Sequence, residues 1–195
     1  MHRLLLLLSP LLALTGCINC TPVVLTPAEK VWASVYEAGQ QVRFRSNRGA
    51  SNVLTALPRK EFYENQDCNW MESGKNQPLR TIVALTSAVD HGGGDHQSFS
   101  LVVYKTSPTR PATLLFDLAG LLGNLSDVPG GPVFKLLPAP LTLASGRRYP
   151  GAYAIRNGAN AIYLRGSQLR AAYWDPQAGL LRYELASGEV FDLVE

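Results

Sequence analysis

Histidine, cysteine and methionine are scarce in this sequence, whose 195 residues contain three, three and two of them. Imidazole and thiolate groups are the usual zinc ligands and the usual partners in nucleophilic catalysis. The sequence therefore has few residues that could form a zinc site or a catalytic triad. The signature patterns of nucleophile-elbow hydrolases, zinc proteases, P-loop NTPases and dinucleotide-binding folds are missing as well. The sequence therefore predicts a protein that is not an enzyme and has no cofactor.

A strong charge of either sign is also missing. The chain has 18 lysines and arginines against 15 aspartates and glutamates, a formal net charge of +3. The basic residues are scattered rather than gathered into a stripe, which argues against a nucleic-acid partner. The 17 glycines and 13 prolines suit a protein of short strands joined by many turns.

No apolar run reaches the ~20 residues that a bilayer-spanning helix needs. The most apolar stretch follows Arg3 and covers Leu4 to Ala13, with Pro10 inside it. A positive residue followed by an apolar stretch of this length predicts a secretory signal peptide.

This leader ends in Leu14-Thr15-Gly16-Cys17, which resembles the lipobox of bacterial lipoproteins. The resemblance implies a signal peptide over residues 1–16 and acyl groups such as palmitate on Cys17. Two or more acyl chains make membrane attachment stable, because each buried CH₂ contributes about 0.8 kcal/mol. Neither Ile18 nor Asn19 is the aspartate that retains lipoproteins at the inner membrane. The resemblance therefore implies a cell-envelope protein on the outer membrane, facing the periplasm.

Lipidation of Cys17 leaves Cys20 and Cys68 as the other two cysteines. In an oxidising periplasm they can form a disulfide or stay free, and the sequence leaves both alternatives open. The stretch from Cys17 to Cys20 also spells C-x-x-C. A redox role is disfavoured, because that motif acts at the start of a helix in a thioredoxin-like unit.

A short helix is expected before a β-rich body. Thr26, Pro27 and Glu29 form a capping-box pattern for a helix start, and Gly39 is a stop signal. From Gln41 onward apolar residues recur at every second position, which is typical of strands. The sequence predicts an all-β fold: an antiparallel β-sandwich or an open or half barrel of roughly ten strands with one short N-terminal helix.

Together, the lipobox resemblance and the strand pattern predict three parts of the chain. We expect a signal peptide over residues 1–16, the lipidated cysteine, a tether and the short helix over residues 17–38, and a single β-rich domain over residues 39–195.

Two features inside that domain give specific expectations. Leu79 to Val89 is apolar almost throughout and predicts a central strand. Asn157-Gly158 is a strong turn signal between Ala152–Arg156 and Ala161–Arg165, which predicts a hairpin.

Two segments of the β-rich part carry a further resemblance. The stretch from Tyr173 to Phe191 and the stretch from Tyr36 to Gly49 look like the end and the first strand of small bacterial lipoproteins of unknown function. The resemblance implies a β-rich periplasmic or outer-membrane domain. It carries no catalytic residues.

Asp90, His91, Asp95 and His96 lie within seven residues that also contain three glycines. Imidazole and carboxylate groups suit zinc or nickel, so these four side chains are weak candidates for a metal site. Glycines and polar residues are equally typical of a wet hairpin tip. The sequence favours the tip, and hence no metal.

Trp70 stands in a polar loop beside Asn69. A loop aromatic next to a polar group can contact a ligand. The alternative is that the ring folds back and covers the core.

The leading functional hypothesis is a lipid-anchored, non-catalytic binding or structural module of the envelope. Its partners are the membrane, through the anchor, and an envelope protein or glycan. The alternative is a periplasmic carrier that holds a lipid or another apolar ligand inside a curved sheet.

Overall fold

A computed structural model of the chain describes residues 20–69, 71, 74–91, 98–123, 136–164 and 166–194. Cys17, Trp70, Asp95 and His96 lie outside these residues. One large antiparallel sheet curls into a half-barrel, with one short helix, so the all-β prediction is confirmed. Over the described ranges, no helix is long and apolar enough to cross a membrane.

Ten of the described strands have four or more residues, in line with the number expected. The helix is α1 (Pro27–Ala33). The strands are β1 (Thr21–Pro22), β2 (Gln41–Ser46), β3 (Ser51–Ala56), β4 (Lys60–Tyr63), β5 (Asn76–Gln77), β6 (Leu79–Ser87), β7 (Phe99–Lys105), β8 (Thr113–Leu118), β9 (Leu121–Gly123), β10 (Leu137–Pro138), β11 (Leu141–Thr142), β12 (Arg148–Tyr149), β13 (Tyr153–Arg156), β14 (Ala161–Tyr163), β15 (Leu169–Asp175), β16 (Gly179–Leu185) and β17 (Val190–Val194).

The large sheet has the order β10-β13-β15-β16-β17-β2-β3-β6-β7-β8-β9-β14, and β4 pairs with β6 beside β3. The expected central strand is confirmed as β6, which has partners on both sides. The sheet curls until β9 meets β13. A Cβ atom added to Gly123 would stand only 2.5 Å from Ile155 Cγ2, so glycine permits this close approach.

Alternating apolar residues fill the inside of the half-barrel. The largest fully buried side chains include Trp174, Tyr183 and Phe44. A smaller second core lies on the opposite face of β15 and β16, where residues 139–152 cover Tyr173 and Leu181. Both faces of these two strands are therefore buried.

Helix α1 begins as predicted but ends early. Thr26 and Glu29 form the capping box, with Pro27 in the first turn. The expected stop at Gly39 is wrong, because the helix ends at Ala33 with Ser34 as its cap. The chain then turns to pack Tyr36 against the sheet, where its hydroxyl accepts a hydrogen bond from Leu180 N at 2.7 Å.

The hairpin predicted around Asn157-Gly158 is wrong. Strand β13 pairs with β10 and β15, whereas β14 pairs with β9. The buried Asn160 side chain explains the difference: its amide donates to Ala154 O and its carbonyl accepts from Arg156 N, both at 2.8 Å. These bonds close a compact loop. The loop redirects the chain across the seam, by which we mean the line where β9 meets β13.

The strand registers define two ends of the half-barrel. Tyr63, Leu79 and Lys105 are aligned at one end, which we call the tether end because the chain from Cys20 to α1 packs there. At the distal end lie the last residues of β6 and the turn between β2 and β3.

Glu29 attaches helix α1 to the tether end. Its carboxylate accepts hydrogen bonds from Thr26 N, from Ala112 N and from the buried Lys105 ammonium, at 2.7 to 2.8 Å. Burial alone would raise the pKa of Glu29, but these bonds outweigh it and lower the pKa to about 2. The ionised form is therefore strongly favoured in the folded protein.

We expect Glu29→Gln to lower the free energy of unfolding at pH 7 by on the order of 3 kcal/mol, because folding lowers this pKa from 4.5 to about 2. A lowered pKa stabilises the fold above pH 4.5, and this stabilisation is lost as the pH falls from 4.5 towards 2. Urea unfolding from pH 2 to pH 7 measures both effects. The exposed Glu37, changed to Gln, is the control, and equal losses in the two variants would contradict the assignment.

Candidate functional site

His91 is the one weak metal candidate whose side chain lies in the described core. It is 2% exposed, and its ring packs edge-on against Phe99, Tyr183 and Phe191. The wet-tip interpretation is therefore wrong for this residue. Burial lowers the pKa of His91, although the neighbouring Asp90 raises it.

A buried hydrogen-bond network joins His91 to the sheet. The Asn52 amide lies 3.1 Å from His91 Nε2 and donates to the Tyr183 hydroxyl at 2.9 Å. Its carbonyl accepts from Ser87 Oγ at 3.1 Å. This network closes the distal end. Asn52 was not singled out from the sequence, although the alternation of β3 puts it on the inward face with Leu54.

Of the four metal candidates, the structure describes only Asp90 and His91, and it places them in different environments. His91 points into the core, Asp90 is exposed, and Asp95 and His96 are not among the described residues. No group of three or more histidine, cysteine, aspartate or glutamate side chains that could hold a metal occurs in the part of the chain that the structure describes.

Cys20 and Cys68 are joined by a disulfide in the structure, with Cα atoms 5.5 Å apart. This separation lies within the ~7 Å that a bridge requires. Asn69, beside Cys68, is half-buried and accepts a hydrogen bond from Met71 N at 3.2 Å, so it shapes its own loop. Trp70 is outside the described residues, and its ligand hypothesis stays a prediction.

The inside of the half-barrel is occupied by packed side chains. A carrier needs an interior space for its apolar ligand. The packing of Phe99, Phe116 and Trp174, each at most 1% exposed, fills the region where that ligand would lie. The outer surface of the sheet is therefore the better place to look for a binding site.

A groove of about 750 Å³ crosses that outer surface between β2, β16, β17 and the turn that follows β11. We call it the outer-wall groove. Its lining residues are Arg45, Ser46, Asn47, Ala144, Ser145, Arg182, Val190, Asp192, Leu193 and Val194.

An ion pair fixes one wall of the outer-wall groove. Arg182 binds Asp192 through two hydrogen bonds, one of them 2.8 Å from Nη2 to Oδ2, and also donates to Thr142 O. Asp192 accepts a further hydrogen bond from Ala144 N at 2.8 Å. The hydrogen bond to Asp192 raises the pKa of Arg182. The Arg182 guanidinium therefore stays charged, and its contacts with Asp192 and Thr142 tie the β11–β12 region to the sheet.

Two outward arginines on β2 supply the remaining charge. Arg43 and Arg45 are exposed, with Val42 and Phe44 buried on the opposite face. Within the described ranges, neither guanidinium forms a side-chain hydrogen bond or an ion pair. Residues two apart on a strand lie about 6.6 Å apart on one face. The arginines therefore form a pair of parallel donors on the outer wall.

Apolar side chains flank this arginine pair. The register places Arg43 between Val53 on β3 and Val194 on β17. These valines are 40% and 42% exposed. A second depression of about 300 Å³ is lined by both arginines and both valines, and it continues the outer-wall groove across β2. The surface thus combines fixed cations with accessible apolar contacts.

No protein-family model, curated protein or solved structure matches the chain. A function can therefore be inferred only from the residues of the chain and the geometry of the site.

The burial of His91 gives a testable pH dependence. Its pKa in the fold lies below the ordinary 6.5, so the neutral ring stabilises the fold at high pH. We expect the free energy of unfolding to fall below pH 6.5, by at most about 1.4 kcal/mol per pH unit for one proton. In His91→Gln this dependence should disappear between pH 5 and pH 7, as measured by urea unfolding. Its disappearance in His96→Gln instead would contradict the assignment.

Proposed function

We propose that the protein is a non-catalytic, lipid-anchored binding module of the bacterial envelope, attached to the outer membrane and facing the periplasm. Its outer-wall groove, together with the depression that continues it across β2, would bind an acidic segment of a partner protein. The observation that carries this proposal is the exposed arginine pair on β2, Arg43 and Arg45, in which Arg43 lies between the exposed Val53 and Val194.

The chemistry of the groove favours a protein segment. Arginine is enriched in protein interfaces and binds carboxylates through two parallel hydrogen bonds. Among the described residues that line the groove and its continuation, Phe44 is the one aromatic residue, and its ring is buried on the opposite face of β2. These residues therefore offer no exposed ring on which a flat ligand could stack. An extended acidic peptide can place carboxylates over Arg43 and Arg45 and apolar side chains over Val53 and Val194.

The same surface supports binding rather than catalysis. Among the described residues that line the outer-wall groove, the one carboxylate is that of Asp192, which is already engaged by Arg182 and Ala144 N. A general base needs a group that can take up a proton near the substrate. The filled half-barrel likewise supports a surface binder over a lipid carrier.

The anchor is tested by the mass of the native protein. We expect the mature chain to begin at Cys17 and to carry acyl groups on it, with the protein in the membrane fraction. Cys17→Ser should abolish both the acyl mass and the cleavage, whereas Cys20→Ser should keep them. An unmodified chain that retains Met1 would contradict the anchor.

The groove is tested by photo-crosslinking in whole cells. A photoreactive amino acid at Val53 should give a discrete protein adduct, and the same residue at the exposed Ile162 should not. Arg43→Ala with Arg45→Ala should reduce the adduct by about tenfold or more, because each charge-assisted hydrogen bond contributes about 1.5–3 kcal/mol.

Arg110→Ala removes a positive charge from another exposed position and is the matched control. Equal adducts at Val53 and Ile162, or a loss in the Arg110 variant as large as in the double variant, would contradict the groove. An adduct with a glycan instead of a protein would contradict the partner class while keeping the site.

A further inference from the structure

The chain is fixed to the body of the protein from Cys20 onward. The disulfide to Cys68 is the first attachment in the part of the chain that the structure describes. Strand β1 then pairs in parallel with β5, with Thr21 N donating to Lys75 O at 2.8 Å and Val23 N donating to Gln77 O at 3.1 Å. The side chain of Val23 is completely buried. The tether therefore joins the body at once rather than after a long linker.

This attachment leaves little distance between the body and the proposed anchor. Three residue steps separate Cys17 from Cys20, and a fully extended chain spans about 3.3–3.6 Å per residue, or about 10 Å in total. That is close to the Debye length of about 8 Å at physiological ionic strength. An acylated Cys17 thus holds the tether end against the lipid headgroups.

We propose that the domain stands end-on on the bilayer, with the tether end in contact with the phospholipid headgroup layer. This inference rests on the proposed lipid anchor. It identifies the partner of the tether end as a bilayer that contains anionic phospholipids. The distal end then faces away from the bilayer.

The side chains at the tether end suit that partner. Met71, three residues beyond Cys68, is 84% exposed, and Val24 is 63% exposed. Apolar side chains of this kind enter the interfacial layer of a bilayer. Lys30 and Lys75 are exposed on the same end and attract anionic lipids. Asp67, also exposed, opposes this attraction, so the short tether is the main constraint.

The same orientation lifts the outer-wall groove away from the membrane. Strand β6 has nine residues, which at about 3.3 Å per residue is about 30 Å. Ser46 and Asn47 of the groove lie at the β2–β3 turn, on the distal end. The groove is then open to a periplasmic partner while the tether end is covered by lipid.

Depth-dependent quenching tests this orientation with the full-length acylated protein. The two labelled positions are Met71→Cys at the tether end and Ser187→Cys at the distal end, where the exposed Ser187 accepts a hydrogen bond from Arg48 of the β2–β3 turn. Each variant carries an environment-sensitive fluorophore, attached under non-reducing conditions, and is placed in vesicles of phosphatidylethanolamine and phosphatidylglycerol. A nitroxide on the lipid headgroup should remove most of the emission at position 71 and leave that at position 187 unchanged. Equal quenching at the two positions, or none at position 71, would overturn the proposal.

Two further measurements distinguish a failure of the proposed anchor from a failure of the proposed orientation. The intact mass of each sample reports acylation of Cys17, so failure of the anchor is recognised before the quenching is interpreted. A Gly-Ser spacer of about 20 residues inserted after Asn19, with an r.m.s. length of about 25 Å, should abolish the quenching at position 71. Full quenching in the spacer variant would overturn the role of the short tether.

Discussion

The carboxylate of Glu29 joins three elements that are far apart in the chain. It caps helix α1 at Thr26, pairs with Lys105 at the end of β7, and accepts a hydrogen bond from Ala112, just before β8. Lys105 is 2% exposed, and a buried ammonium without its partner would be strongly unfavourable. This contact fixes where the N-terminal segment meets the sheet, and so determines which end of the half-barrel lies nearest the proposed anchor.

Local patterns account for much of this architecture. The capping box at Thr26 and the alternation from Gln41 to Ser46 depend only on neighbouring residues, and both features appear where the sequence puts them. The loop at Asn157 has a strong local turn signal as well. Its outcome depends instead on Asn160, whose buried amide satisfies Ala154 O and Arg156 N, and no local pattern reveals that choice of partners.

The candidate site shows more clearly that local patterns do not reveal which residues become neighbours in the fold. Alternation places Arg43 and Arg45 on one face of a strand, but their surroundings come from β17, about 150 residues later in the sequence. The strand register places Arg45 opposite Asp192, and Arg182 binds the Asp192 carboxylate. Both neighbours come from tertiary structure. His91 is a related case, because a glycine-rich neighbourhood favours a wet loop whereas long-range packing buries the ring among aromatics.

The seam where Gly123 meets Ile155 has a consequence for behaviour at high concentration. The sheet curls until β9 reaches β13, and the strands that end its described path, β10 and β14, have only two and three residues. Strand β4, whose described partner is β6, has four. Long unpaired strand edges are templates on which identical chains add to one another. Edges this short give an incoming strand few backbone groups to pair with, which protects a crowded population of these molecules against edge-to-edge aggregation.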